Sequence, residues 1–280
     1  MKADLHLHTT ASDGQLTPRQ LVKRAAELGL SHIAITDHDT VDGIEEALEA
    51  APPQLVVIPG VEINTDIPEG EVHILGFFIH HRDKELGKIL ATLRRSRLER
   101  AQNMVTKLRE LGMDIQWQRV LELTKGGSVG RPHIARAMLE KGYISSLPEA
   151  FVKYIGRQGP AYVERYKLTP EEAVQLVLKV SGVPVLAHPM DIQDRDDKVT
   201  SLKKAGLMGL EVYYYGYSPE IVEELLALVQ LHHLAVTGGS DYHGLYSSIG
   251  GEVGSVSIPQ ARIQEFLALV PSSSAEEVHL

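Results

Sequence analysis

Asp4-Leu5-His6-Leu7-His8 and Ser240-Asp241-Tyr242-His243 carry the same device at opposite ends of the chain. Side chains at i and i+2 of a strand point to one face. His6 and His8 therefore share a face, and so do Asp241 and His243. The two pairs act together only if the fold brings both strand ends to one place, which a ring of parallel strands does. Imidazole and carboxylate at that spacing can chelate a divalent metal.

Cysteine is absent, which excludes disulfides and thiolate zinc sites and leaves nitrogen and oxygen as metal donors. The 280 residues suffice for one large α/β domain or a domain with an insertion. No apolar run approaches membrane-spanning length. With a first strand expected at Ala3 there is no room for a signal peptide, so a cytoplasmic enzyme is the expectation. The net charge of −9 is unevenly spread. His81 to Lys167 holds 18 Lys/Arg against 9 Asp/Glu, and the remainder 10 against 28. A basic insert in an acidic frame attracts anions, although long helices also carry Arg and Lys simply for solvation.

Strands alternate with helices, with one interruption. Strands are expected at Ala3–His8, His32–Thr36, Val56–Pro59, Val72–Phe78, Val183–Ala187, Gly209–Tyr213 and Leu234–Thr237, with Val253–Ile258 a candidate for one more. Thr17-Pro18-Arg19-Gln20 and Thr169-Pro170-Glu171-Glu172 read as capping boxes with proline at the first helical position, and Ser218-Pro219 opens another helix. Repeated β–α–β units imply a parallel sheet with function at the strand C-terminal ends. Residues 81–167 read as a mostly helical cap inserted into a domain formed by 1–80 and 168–270. Residues 271–280 read as a disordered tail.

Polar groups gather at the expected strand ends: His6, His8 and Asp13, then His38, Glu62, His73, His188, Asp241 and His243. One histidine there is usually structural, but this many ionisable groups at one rim need a shared partner, and a metal is the simplest. His32, His80, His81, His232, His233 and His279 fall elsewhere and read as surface or packing residues. Asp4 and Asp37 could be ligands, but the preferred role is to orient the imidazoles through their other ring nitrogen.

Asp4–His8 with Asp13, Thr36–Asp39, Gly60–Glu62, His73, Ala187–Pro189 and Ser240–His243 together resemble the PHP (polymerase and histidinol phosphatase) domain family. The resemblance implies a distorted seven-stranded, TIM-like β/α barrel with three metal ions, manganese by preference and iron or zinc as alternatives. It assigns His6, His8, Glu62 and Asp241 to one ion, Glu62, His73 and His188 to a second, and Asp13, His38 and His243 to a third. Gly130-Arg131-Pro132-His133-Ile134-Ala135 in a helical insertion is similar to the stand-alone bacterial branch. That branch includes 3′,5′-nucleoside bisphosphate phosphatases that also trim short RNAs from the 5′ end. It gives Arg131 and His133 contacts to phosphate; the plainer alternative has Arg131 capping the glycine loop and His133 packing. His133 could also replace His188 as a ligand, though His188 is favoured because it ends a barrel strand.

The expected reaction is attack of a metal-activated hydroxide on a phosphoester of a nucleotide or short RNA. No membrane and no protein partner is implied. A histidinol-phosphate phosphatase would not need so basic a cap. An amidohydrolase-type enzyme would bridge its metals with a lysine at a strand end, where this chain has Glu62. A metal-stabilised, non-catalytic binding module should have lost ligands.

Overall fold

The computed structural model describes residues 1–67, 70–124, 126–244 and 250–271. Seven strands run in chain order around one sheet: β1 Ala3–Leu7, β2 His32–Ile35, β3 Val56–Ile67, β4 Gly70–Phe77, β5 Val183–Leu186, β6 Gly209–Tyr214 and β7 Ala235–Gly239. A parallel bridge between Leu7 and Tyr242, with His8 N donating to Tyr242 O at 3.1 Å, joins the end of β1 to the chain beyond β7 and brings the barrel close to closure. The two metal-binding pairs thus become neighbours.

The sheet is not parallel throughout, as alternation of strands and helices suggested. β4 is antiparallel to both β3 and β5. The reason is the connection. Parallel neighbours need a long crossover, whereas an antiparallel pair can be joined directly. β3 does not stop at Pro59 but continues to Ile67, and β4 folds back on it as a hairpin. Val253–Ile258 is not a strand either. Gly254 has a left-handed backbone (φ 72°) and donates to Asp4 Oδ2 at 2.8 Å, which interrupts any extended run.

Helices cover the outside of the sheet. They are α1 Pro18–Glu27, α2 Ile44–Ala50, α7 Pro170–Lys179, α8 Arg195–Lys204 and α9 Pro219–His232. Leu21, Val22 and Ala25 of α1 and Ala173, Val174 and Val177 of α7 are buried against Ile33, Ile35, Val61 and Ile74. Both capping boxes form: Thr17 accepts from Gln20 N at 3.3 Å, and Thr169 from Glu172 N at 3.2 Å. The opposite sheet face has its own cluster. Leu5, Ala34, Ile58, Leu75, Phe77 and Val185 meet Ile263 and Phe266 of α10, Gln260–Leu267. In the parallel strands these residues precede the polar strand ends, so α10 packs at the end away from the histidines.

Between β4 and α7 come α3 Lys84–Glu110, α4 Trp117–Leu123, α5 Arg131–Glu140 and α6 Leu147–Ala150, followed by a π-helical turn at Phe151–Ile155. α3 serves two cores. Leu86, Leu90 and Leu93 join the barrel layer, while Ala101, Met104, Val105 and Leu108 join a separate cluster with Val120, Ile134, Met138 and Ile155. The cap is therefore tied to the barrel by a continuous 27-residue helix. A cavity of about 800 Å³ lies between them, lined by His38, Glu62 and His73 from the barrel and by Arg97, Arg100 and Arg131 from the cap. Of the expected tail, residues 272–280 lie outside the described residues.

Candidate metal centre

β1 carries His6 and His8 into the barrel, both fully buried. In the β3–β4 hairpin, His73 stands opposite Asn64, two residues beyond Glu62. Glu62, Asn64 and His73 therefore project from one face. This is how a residue near the start of an antiparallel strand reaches a rim otherwise built from strand C-terminal ends. At two of those ends the backbone turns left-handed, with φ of 25° at His188 and 52° at Asp241. Such conformations in non-glycine residues cost on the order of 1–3 kcal/mol and occur where surrounding structure imposes them. Asp241 is held by Tyr214, which donates to Oδ2 at 2.7 Å.

The side chains converge. Glu62 Oε2 lies 3.2 Å from His6 Nε2 and 3.1 Å from His8 Nε2; Asp241 Oδ1 lies 3.3 and 3.1 Å from the same two atoms. Glu62 Oε1 lies 2.7 Å from His73 Nδ1 and 3.2 Å from His188 Nε2. Asp13 lies 3.4 Å from His243 Nε2 and 3.9 Å from His38 Nε2. Yet His6 Nε2, His8 Nε2, Asp13 Oδ1, Glu62 Oε2 and Asp241 Oδ1 are buried without a hydrogen bond. Polar atoms buried in this state are costly. Donors about 2.1 Å from one metal ion and set at roughly 90–110° lie about 3.0–3.4 Å from each other, as the first four-residue group does. Three groups could each hold an ion: His6, His8, Glu62 and Asp241; His8, Asp13, His38 and His243; and His38, Glu62 and His73.

The electrostatics point the same way. Burial acts to lower the His8 imidazole, but Asp241 and Glu62 outweigh it and push the ring up to about 10. Burial favours neutral Glu62, yet His38, His6 and His73 hold its carboxyl well below the usual range. Negative charge at the centre of the cluster draws positive charge toward it, and a divalent cation could supply that charge.

Several imidazoles are oriented from behind, but not by the expected residues. His6 Nδ1 donates to Glu211 Oε1 at 2.9 Å, leaving Nε2 to face the cluster. Glu211 Oε2 also accepts from His188 N at 2.8 Å. His188 Nδ1 lies 3.1 Å from Asp191, and His243 Nδ1 donates to the Asp241 carbonyl at 2.9 Å. Asp4 and Asp37 hold backbone and hydroxyl groups instead. Asp4 accepts from Ser240 N and Gly254 N, and Asp37 from Thr9 N and Thr9 Oγ1 at 2.7 Å each. They fix the loops that carry ligands without touching an imidazole. Glu211 was missed by sequence reasoning, although a carboxylate inside the buried run Gly209-Leu-Glu-Val-Tyr is itself a signal.

The remaining candidates sit in the cap. His133 Nδ1 accepts from Gly130 N at 3.0 Å at the start of α5, whereas His188 faces Glu62. Arg131 lines the cavity but already donates to Glu71, which also accepts from Lys167 at 2.9 Å. Arg97 donates to Asp39 Oδ2 at 2.6 Å and to Asn64 Oδ1; Asn64 in turn contacts His38 Nδ1 at 2.9 Å. His32, His80, His81, His232 and His233 fall outside the three groups; so does His188, but its Nε2 lies 3.2 Å from Glu62 Oε1 at the edge of the third.

A PHP domain profile matches residues 4–179. The chain is 36% identical over 247 residues to the 5′-3′ exoribonuclease Rnm of Salmonella typhimurium, covering 86% of this chain and 84% of the relative. It is 30% identical over 251 residues to the 3′,5′-nucleoside bisphosphate phosphatase of Chromobacterium violaceum, covering 86% of each. A solved structure from Bifidobacterium adolescentis, assigned to the metal-dependent phosphoesterases, superimposes with a TM-score of 0.84 at 34% identity over 96% of each chain.

Proposed function

This chain belongs to the PHP domain family, and from that premise we propose that it is a metal-dependent phosphoesterase whose substrates are nucleoside 3′,5′-bisphosphates or short 5′-phosphorylated RNAs. The observation that carries the reading is the knot of buried ligand atoms without hydrogen bonds, set at the floor of a cavity walled by arginines. We assign His6, His8, Glu62 and Asp241 to one ion, Glu62, His73 and His188 to a second, and Asp13, His38 and His243 to a third. The mixed nitrogen and oxygen donors suit manganese, iron or zinc.

Ions held by these residues would acidify a water toward ~7 and neutralise charge on phosphoryl oxygens. The residues do the rest. Glu62 spans the cluster because its two oxygens face different histidines. Glu211 keeps His6 Nε2 turned inward. The cap roofs the site and limits water, and its guanidinium groups suit a multiply charged phosphate far better than a neutral amide. The basic cap also favours nucleotide substrates over a small monoester such as histidinol phosphate.

The test is a phosphate-release screen of manganese-loaded protein. Adenosine 3′,5′-bisphosphate and 5′-phosphorylated oligoribonucleotides should be hydrolysed well above histidinol phosphate, and amides and lactones not at all. Preferential amide or lactone hydrolysis would overturn the reaction class.

A further inference from the structure

Arg97 and Arg100 lie one turn apart on α3 and so share a helix face. Both line the cavity, but their surroundings differ. Arg97 is satisfied by Asp39 and Asn64. Arg131, the arginine that the sequence brings forward, is paired with Glu71 and lies over the Phe151 ring, 5.5 Å from its centre. Arg100 also lies over an aromatic ring, but among the described residues it has no carboxylate or amide oxygen bound to it. Only 7% of it is exposed, and its Nε and Nη2 are buried without a hydrogen-bond partner. Its guanidinium carbon lies 5.5 Å from the centre of the Tyr162 ring.

The neighbourhood is cationic. Burial first, then Arg131, with Arg97 adding to them, push the Arg100 group down to about 10, and Glu71, which is already paired with Arg131 and Lys167, opposes this only in part. Arg165 adds another buried guanidinium, and its one ion pair among the described residues is with Asp39, which Arg97 already uses. A buried guanidinium without an anion is strongly unfavourable. Placed in a cavity wall, it is completed by an anion that enters from the cavity.

We propose that Arg100, set over the Tyr162 ring, anchors a second phosphate of the substrate, separate from the phosphate at the metal cluster, and that Arg131 is not this anchor. The inference rests on the phosphoesterase reading above. The planar fork of arginine can give a phosphate two parallel N–H···O bonds, which fixes its orientation as well as its charge. Lysine cannot reproduce that fork.

The test compares wild type with Arg100→Gln and Arg100→Lys in the full chain. In the manganese-loaded protein, kcat/KM is measured for adenosine 3′,5′-bisphosphate and for 4-nitrophenyl phosphate. Both variants should lose roughly 10–100-fold on the bisphosphate, about the worth of a charged hydrogen bond, and at least ~10-fold less than that on the aryl ester. In the metal-free protein, calorimetric titration with adenosine 5′-monophosphate should show binding weakened by about 10-fold or more in both variants. Arg100→Gln should melt no lower than wild type, because it removes an uncompensated buried charge. Equal losses on both substrates would place Arg100 at the scissile phosphate and overturn the proposal. So would unchanged nucleotide binding, or full rescue by lysine. A wild type that releases phosphate from neither ester would count against the phosphoesterase reading, and the metal-free titration would still decide the anchor.

Discussion

Glu62 faces five histidines: its oxygens lie 2.7–3.2 Å from nitrogens of His6, His8, His38, His73 and His188. Glutamine keeps its shape but removes the charge. Glu62→Gln should lower phosphate release by about 10²–10³-fold or more while a cooperative unfolding transition is retained, checked by a colorimetric phosphate assay and by urea melts. Glu211 acts at one remove, through His6 and the His188 amide. Glu211→Gln should weaken metal binding by about 10–100-fold, measured by competition with a fluorescent chelator. The two residues also mark what the chain reveals by itself. Glu62 was legible because it falls just past the strand expected at Val56–Pro59 and stands among other donors, although β3 in fact continues through it. Glu211 was overlooked because it sits inside a strand and not at its end, where the other donors gather, although a carboxylate in so apolar a run is a cue to an inward-facing charge. Asp4 and Asp37 were legible as buried partners of the site, but the atoms they hold depend on loop geometry that no local pattern encodes.

At the scale of elements, caps and periodicity carried most of the information. Thr17 and Thr169 begin helices as their capping boxes require. α8 gave little signal, since only Val199 and Leu202 of it are buried and no stripe forms. The direction of β4 was not legible because period-2 alternation is the same in either direction; the hairpin follows from pairing, a long-range event. The barrel separates stability from chemistry along its axis. Phe266 of α10 is fully buried and meets Phe77 edge-on with ring centres 5.0 Å apart. Phe266→Ala should cost about 3–5 kcal/mol in urea unfolding. Below the unfolding transition, its kcat should stay within a factor of about three of wild type, because the packing lies at the end of the barrel away from the histidines. A collapse of kcat in the folded protein would show that the two ends are coupled.

Taken as a whole, the molecule places an electron-rich cluster beneath an electron-poor roof. The acidic frame and the basic cap seen in the charge pattern meet at one cavity. That arrangement needs cations below and an anion between, and it ties stability to metal occupancy. Metal at about 100 times its dissociation constant should stabilise the wild-type fold by ~2.7 kcal/mol, read as a rise in melting temperature, and the rise should be smaller in Glu62→Gln, which keeps Asp13, His38 and His243. The most direct test measures bound metal by plasma emission and phosphate release on the same samples. Chelator-stripped wild type and Glu62→Gln are each titrated with manganese. Phosphate release should be absent from the stripped protein, should rise in step with bound manganese in wild type, and should stay near background in the variant. Full release from stripped protein, or from Glu62→Gln without bound metal, would contradict a metal-centred phosphoesterase.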